Sequence, residues 1–154
     1  MRAYPYSTLS KSSRASSLLN HASVLVAEDQ PFIALDLALA VEDAGGQVVG
    51  PAASCDEALA LLASGTVAAA ILDVNLVNGD CSALVEAVVG LGVPFIIHTA
   101  VDVPPELATR FSDLVVRIKP CPAATLVAQL ESLIAEHARA VAAAASYGRG
   151  QATA

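Results

Sequence analysis

Five short apolar runs punctuate the chain: SVLVA (23–27), QVVGPA (47–52), VAAAILD (67–73), VPFIIHT (93–99) and DLVVRI (113–118). The clearest are rich in Val and Ile, whose branched side chains suit a pleated surface. Their apolar character is continuous rather than alternating, as in strands covered on both faces of a parallel sheet. Longer segments of helical character lie between them. Phe32 to Ala44 is apolar except for Asp36, Glu42 and Asp43, with Asp36 and Asp43 on one exposed stripe. SCDE (54–57) reads as a capping box, with Ser54 as N-cap and Glu57 reaching back, opening a helix to about Ser64. Gly45, Gly46 and Gly65 suit helix exits. Further helices are expected over about 82–91, from Pro104 or Pro105, and from about Pro122. In the last of these, Leu126, Leu130, Leu133, Ile134 and Val141 share one side. Five strand–helix units predict an open, doubly wound α/β sheet.

Composition narrows the class. The chain has 154 residues, enough for one ordinary domain, and 55% are hydrophobic, enough for a large core. Eight Lys+Arg against fifteen Asp+Glu give a net charge of −7, which argues against nonspecific binding to nucleic acid or an anionic membrane. The longest apolar run, 58–72, is broken by Ser64, Gly65 and Thr66, too short to span a bilayer. Cys55, Cys81 and Cys121 lie far apart without a CxxC pair. They read as small hydrophobes in a reducing cytoplasm, with no disulfide framework or zinc site expected. Residues 1–21 are rich in serine, carry Arg2, Lys11 and Arg14 and no acid, and read as a flexible tail. The expected domain is 22–137, followed by a helix extension and loose tail over 138–154, with Ser146 onwards loose.

Ligands of such a sheet bind beyond the carboxyl ends of its strands. Strand one ends in Glu28 and Asp29, strand three in Asp73 followed by Asn75, strand four in His98 and Thr99, strand five in Lys119 and Pro120. Glu28 and Asp29 taken alone are equally well an ordinary polar strand exit. Three converging carboxylates would repel, and a hard divalent cation with oxygen ligands removes the conflict. Lys119 adds a point charge and Thr99 a hydroxyl donor, an inventory suited to phosphoryl transfer with Asp73 as nucleophile. His98 alternates with Thr99 and is expected to point away from the metal, as a satisfied or surface histidine.

The segments VLVAED, AAILDVNL, HTA and IKP, in that order, resemble the receiver domain of two-component response regulators. Asp29 and Asp73 are 44 positions apart, a receiver-like spacing. The resemblance covers about 22–135. It implies a (βα)5 flavodoxin-like sheet of strand order 2-1-3-4-5. It also implies Mg²⁺ (or Mn²⁺) held by Glu28, Asp29, Asp73 and the backbone carbonyl of Asn75. Asp73 would be the phosphoacceptor, with Thr99 and Lys119 contacting the phosphoryl group and a cis bond before Pro120. The donor would be a sensor histidine kinase or a phosphotransfer protein. The chain would be a cytoplasmic bacterial signalling protein, a monomer or weak homodimer, rather than an enzyme turning over an external substrate.

Two positions and one segment length depart from the pattern. Val116 stands where receivers usually carry Tyr or Phe, Val77 where they usually carry Pro, and the Thr99-to-Lys119 segment is short, so a reduced fourth helix is expected. These traits, with PFIALDLALAVEDAGGQVVGPAAS, look like receivers found alone or in bacterial stress-signalling regulators. Only the Ala-rich segment follows the fifth helix, so a stand-alone receiver is expected, acting through an unidentified downstream partner or as a phosphate shuttle or sink. Two other readings stay open: a phosphorylation-independent scaffold, and a small phosphatase using Asp73, which would lack a second acid at Asn75. A dinucleotide site is disfavoured because no GxGxxG follows strand one.

Overall fold

The computed structural model describes residues 18–77 and 79–149, apart from the side chain of Asp80. Among these residues seven strands and five helices follow in chain order: β1 (Ser23–Ala27), α1 (Pro31–Asp43), β2 (Gln47–Ala52), α2 (Cys55–Ser64), β3 (Ala69–Leu72), β4 (Asn75–Leu76), β5 (Gly79–Asp80), α3 (Ser82–Gly90), β6 (Phe95–Thr99), α4 (Pro105–Arg110), β7 (Val116–Ile118) and α5 (Ala123–Arg149). Five strands form one sheet in the order β2-β1-β3-β6-β7, every neighbouring pair parallel. With the two-residue strands β4 and β5 set aside, this is the expected order 2-1-3-4-5. Those two strands form a separate antiparallel hairpin after Asp73, which the apolar pattern does not announce.

Alternation along β1 divides the core. Val24 and Val26 face one layer with Ile71 and Ile96, covered by Leu37 and Val41 of α1 and Leu126 and Leu130 of α5. Leu25 and Ala27 face the other with Ala70 and Leu72, covered by Ala58 and Leu62 of α2 and Leu84 and Val88 of α3. Both faces of the central strands are therefore dry, which is why their sequence runs apolar without a break. A smaller cluster of Val74, Val85, Ile97 and Leu107 seats the short α4, with Phe111 and Val116 packed against it.

Local signals set the element ends. Ser54 Oγ accepts the Glu57 N–H at 3.2 Å, and Glu57 Oε2 accepts the Ala53 N–H at 3.0 Å. This is the expected capping box, with its return bond one residue earlier than the N-cap. Gly50 lies at φ +97°, where a Cβ would come within 2.7 Å of the Ala52 nitrogen. The bend it permits accompanies a register shift in the β1–β2 pairing, from Leu25↔Val49 to Ala27↔Ala52. The peptide bonds Gly50–Pro51 and Lys119–Pro120 are both cis.

Four expectations need correction. Leu19 is 3% exposed and its N–H donates to the Ala44 carbonyl, so packing begins within the stretch assigned to a loose tail. Residues 1–17 and 150–154 of the expected tails lie outside the described residues. Residues Ser146–Arg149 are not loose but continue α5 as its last turn, after a run of alanines at 142–145 that favours helix without tertiary contact. Strands β3, β6 and β7 start two or three residues later than their apolar runs, since an apolar run also covers the approach to a strand. Finally, Cys55 and Cys81 are not separate hydrophobes: they pair as a disulfide, with Cα atoms 5.7 Å apart. Sequence spacing does not reveal that the first turn of α2 meets the entry to α3.

α5 has two regimes. Leu126, Val127 and Leu130 are buried, whereas every residue from 135 to 149 is exposed. Leu126→Ala is expected to lower the unfolding free energy by about 2–5 kcal/mol. Val141→Ala in the same helix should change it by less than about 0.5 kcal/mol. Urea unfolding followed by far-ultraviolet circular dichroism distinguishes the two.

Candidate functional site

Glu28, Asp29, Asp73, Thr99 and Lys119 come from four different strand ends on one edge of the sheet. Glu28 and Asp29 follow the last residue of β1. The Glu28 N–H donates to the Ala52 carbonyl at 2.9 Å, so the bend at Gly50 fixes the backbone of the first acid. Glu28 Oε1 accepts the Gln30 N–H at 3.0 Å, turning the chain into α1 at Pro31. Asp73 follows β3, and its N–H donates to the Ala27 carbonyl at 2.9 Å. Its Oδ1 accepts the Asn75 N–H at 2.9 Å, which folds the following turn back over the carboxylate.

Lys119 lies at the centre. Its Nζ is 2.7 Å from Asp73 Oδ2, to which it donates a hydrogen bond, and 2.7 Å from Glu28 Oε2. The side chains of Lys119, Glu28 and Asp73 are 8%, 1% and 5% exposed. Burial on its own would drive the lysine to give up its proton, but hydrogen bonds to Asp73 and Glu28 outweigh it and hold the ammonium above its ordinary range. Glu28 responds differently. Loss of water raises its carboxyl, and the ammonium and the Gln30 N–H offset this only in part. The asymmetry is geometric: Lys119 is shared, and its approach leaves Glu28 Oε2 without a hydrogen bond of good angle.

One ligand oxygen from each of Glu28, Asp29 and Asp73 lies within 4.8 Å of the others. Oxygen ligands from three acids, one of them a buried oxygen in contact with Lys119 but without a well-aligned hydrogen bond, are the chemistry a hard divalent cation requires. These residues therefore fit the implied Mg²⁺, with Glu28 and Asp73 already turned toward a common positive charge.

Thr99 is fully buried, and its Oγ1 accepts the Val101 N–H at 3.3 Å. Its carbonyl accepts the Lys119 N–H at 2.8 Å, so the two residues are coupled through the β6–β7 ladder. Asn75 is exposed and opens the hairpin opposite Asp80. Val116 is half-buried beside Phe111 and Leu114, against the cluster around Ile97 and Leu107. Sequence reasoning missed the Ala52 carbonyl, and Gly50–Pro51 inside an apolar run was the available signal.

His98 departs from its expectation as well. It is 3% exposed, so it is not a surface histidine, and neither ring nitrogen has a hydrogen-bond partner, so it is not a satisfied one. Burial lowers its pKa from the ordinary 6.5, with the Lys119 charge adding to the effect and Asp73 opposing it. The folded state thus binds this proton less readily than the unfolded chain. The stability contribution is intact above pH 6.5 and is lost as pH falls from there through the folded-state value. Comparison of the chain with His98→Val by urea unfolding at several pH values should show a decline below pH 6.5 that the variant lacks.

No family model matches the chain, and no curated protein matches it. Solved structures do. SdrG from Sphingomonas melonis Fr1 is 32% identical over 74% of this chain and 96% of its own length, with a TM-score of 0.61. The response regulator PhyR from Brucella abortus is 29% identical over 84% of this chain, with a TM-score of 0.63, and this chain spans 55% of its length. A CheY-like response regulator receiver domain protein from Methanospirillum hungatei JF-1, 19% identical, shares the fold over 77% of this chain and 97% of its own, with a TM-score of 0.69. The sheet order, the acids and lysine at the strand ends and these likenesses agree: the chain belongs to the response regulator receiver family.

Proposed function

We propose that this receiver accepts a phosphoryl group on Asp73 from the phosphohistidine of a sensor histidine kinase or phosphotransfer protein. The observation that carries the reading is the Lys119 ammonium, 2.7 Å from each of two buried carboxylates, with a third acid in ligand range. A surface ion pair would not need three acids, and a core would not bury them.

The residues divide the work. Glu28, Asp29 and Asp73, with the Asn75 carbonyl, would hold Mg²⁺ (or Mn²⁺). The bound cation would neutralise charge on the phosphoryl oxygens and offset the repulsion among the three acids. An Asp73 carboxylate oxygen attacks phosphorus, the P–N bond to the donor imidazole breaks, and that imidazole takes up a proton. Lys119 stays with Asp73 as the counter-charge of the acyl phosphate. Thr99 exchanges its bond to the Val101 N–H for one to a phosphoryl oxygen, which alters the surface near α4 and β7. The protein then signals through changed binding to a downstream protein, or passes the group on. It is not a turnover enzyme on an external substrate in this reading, and it works in the cytoplasm.

Incubation with Mg²⁺ and phosphoramidate should add the mass of one phosphoryl group. Asp73→Asn should add none, and a normal gain in that variant overturns the assignment. Lys119→Met should slow uptake by about a hundredfold or more, as expected for loss of a preorganised charge. Unchanged mass in the native chain would favour the scaffold reading, in which Val116 needs no aromatic counterpart.

Glu28 gives a second test. Its folded-state pKa is raised, so its contribution to stability is present below 4.5 and lost as pH rises through the folded-state value. At pH 7 the ionised carboxylate therefore costs stability. Glu28→Gln is expected to raise the urea midpoint in the absence of divalent cations and to weaken Mg²⁺ binding in calorimetric titration.

A further inference from the structure

We propose that Cys55 and Cys81 are a reversible thiol pair whose oxidation fastens the two sides of the acidic site to each other. Cys55 is the first residue of α2, and Cys81 is the residue at the entry to α3, 26 positions later. Their Cα atoms are 5.7 Å apart, within the span a disulfide bridges.

What the pair connects gives it meaning. On one side, the turn from Ala52 to Cys55 carries the carbonyl that holds the Glu28 N–H. On the other, Cys81 closes the segment that begins at Asp73: its N–H donates to the Val74 carbonyl at 3.4 Å, beyond the Asn75–Asp80 pairing. A bond between the two cysteines thus ties the support of Glu28 to the turn bearing Asp73 and Asn75. Between these anchors the hairpin pairs Asn75↔Asp80 and Leu76↔Gly79 among the described residues, so it depends on its ends for definition.

Both oxidation states fit the site. In the disulfide seen here, Cys81 Sγ already lies 3.8 Å from the Gly79 carbonyl, so a thiol released at that place has an acceptor for a weak S–H bond. In the disulfide form the sulfurs stay in the apolar layer they already share with Leu76, Leu84 and Ala58. Cys55 is 7% exposed and Cys81 1%, so Cys55 is the sulfur that meets an oxidant. With glutathione disulfide, the Cys55 thiolate attacks one sulfur and expels a glutathione thiolate. The Cys81 thiolate then attacks Cys55 Sγ in the mixed disulfide and expels the second glutathione. Two protein thiols are oxidised and one glutathione disulfide is reduced to two glutathiones.

The oxidised pair holds Val74, Asn75 and Leu76 in the arrangement seen here, with the Asn75 N–H on Asp73 Oδ1. The Asn75 N–H occupies Asp73 Oδ1, and a turn fastened there yields less readily to an incoming phosphoryl group, so oxidation slows uptake; this part rests on the proposed function of Asp73. The thiol state becomes the responsive one.

The experiment uses the full chain with Cys121→Ser, which removes the remaining free thiol. Samples poised with glutathione disulfide or with dithiothreitol are alkylated and weighed. Their hydrogen exchange across 74–76 is followed, and phosphoramidate uptake with Mg²⁺ is timed. The expected result is two thiols blocked by oxidation, with no glutathione retained. Exchange across 74–76 slows at least tenfold, phosphoryl uptake slows at least threefold, and both differences vanish in Cys55→Ser. Two free thiols at every poise, or equal exchange in both states, overturns the inference. Redox-dependent exchange with no phosphoryl uptake in either state upholds the cross-link and overturns the reading of Asp73. Uptake at one rate in both states, with exchange still redox-dependent, overturns the coupling to phosphotransfer.

Discussion

One ammonium group organises the carboxyl edge of this sheet. Lys119 Nζ touches Asp73 and Glu28 at the same 2.7 Å, and almost no water reaches any of the three. Everything around it serves that placement. The β6–β7 ladder delivers Lys119 through the Thr99 carbonyl, the central strand pair sets Asp73 on the Ala27 carbonyl, and the bend at Gly50 delivers the Ala52 carbonyl to Glu28. Without the lysine, two buried acids would face each other beside Asp29 with no ion-pair partner among the other described residues. The strand order 2-1-3-4-5 brings the ends of the first, third and last core strands to this one place.

The arrangement is uneven, and the unevenness is informative. The lysine gains from two partners, whereas Glu28 shares the Lys119 ammonium with Asp73 and keeps an oxygen without a well-aligned bond. A site selected for stability alone would carry an amide there. Buried charge retained against its own solvation is the pattern expected of groups kept for chemistry. His98 adds a buried polar group without hydrogen bonds among the described residues: its imidazole, with two unmatched nitrogens, sits one residue from Thr99.

Much of this was legible in the sequence because two-sided burial writes itself as continuous apolar runs. β1 and β2 coincide with theirs, Ser54 and Glu57 announce α2, and the acids and lysine fall at strand ends where a parallel sheet collects its chemistry. The less legible features depend on contacts distant in sequence. The Cys55–Cys81 pairing needs α2 and α3 to be neighbours, which no local pattern encodes. The β4–β5 hairpin is too short to show a period. The orphaned imidazole of His98 depends on what the opposite helix layer fails to offer, and the identity of the residue alone cannot express that.

The outer half of α5 has an optical consequence. The chain contains no tryptophan and three tyrosines, of which Tyr4 and Tyr6 precede the described residues and Tyr147 is 76% exposed near the tip of the helix. At about 1.5 Å per residue, the stretch from Leu130 to Tyr147 carries that ring some 25 Å beyond the last fully buried turn. The packed layers hold only phenylalanine as a chromophore. Among the described residues, tyrosine emission therefore comes from the far end of a helix and its solvent, and the packed layers contribute none of it.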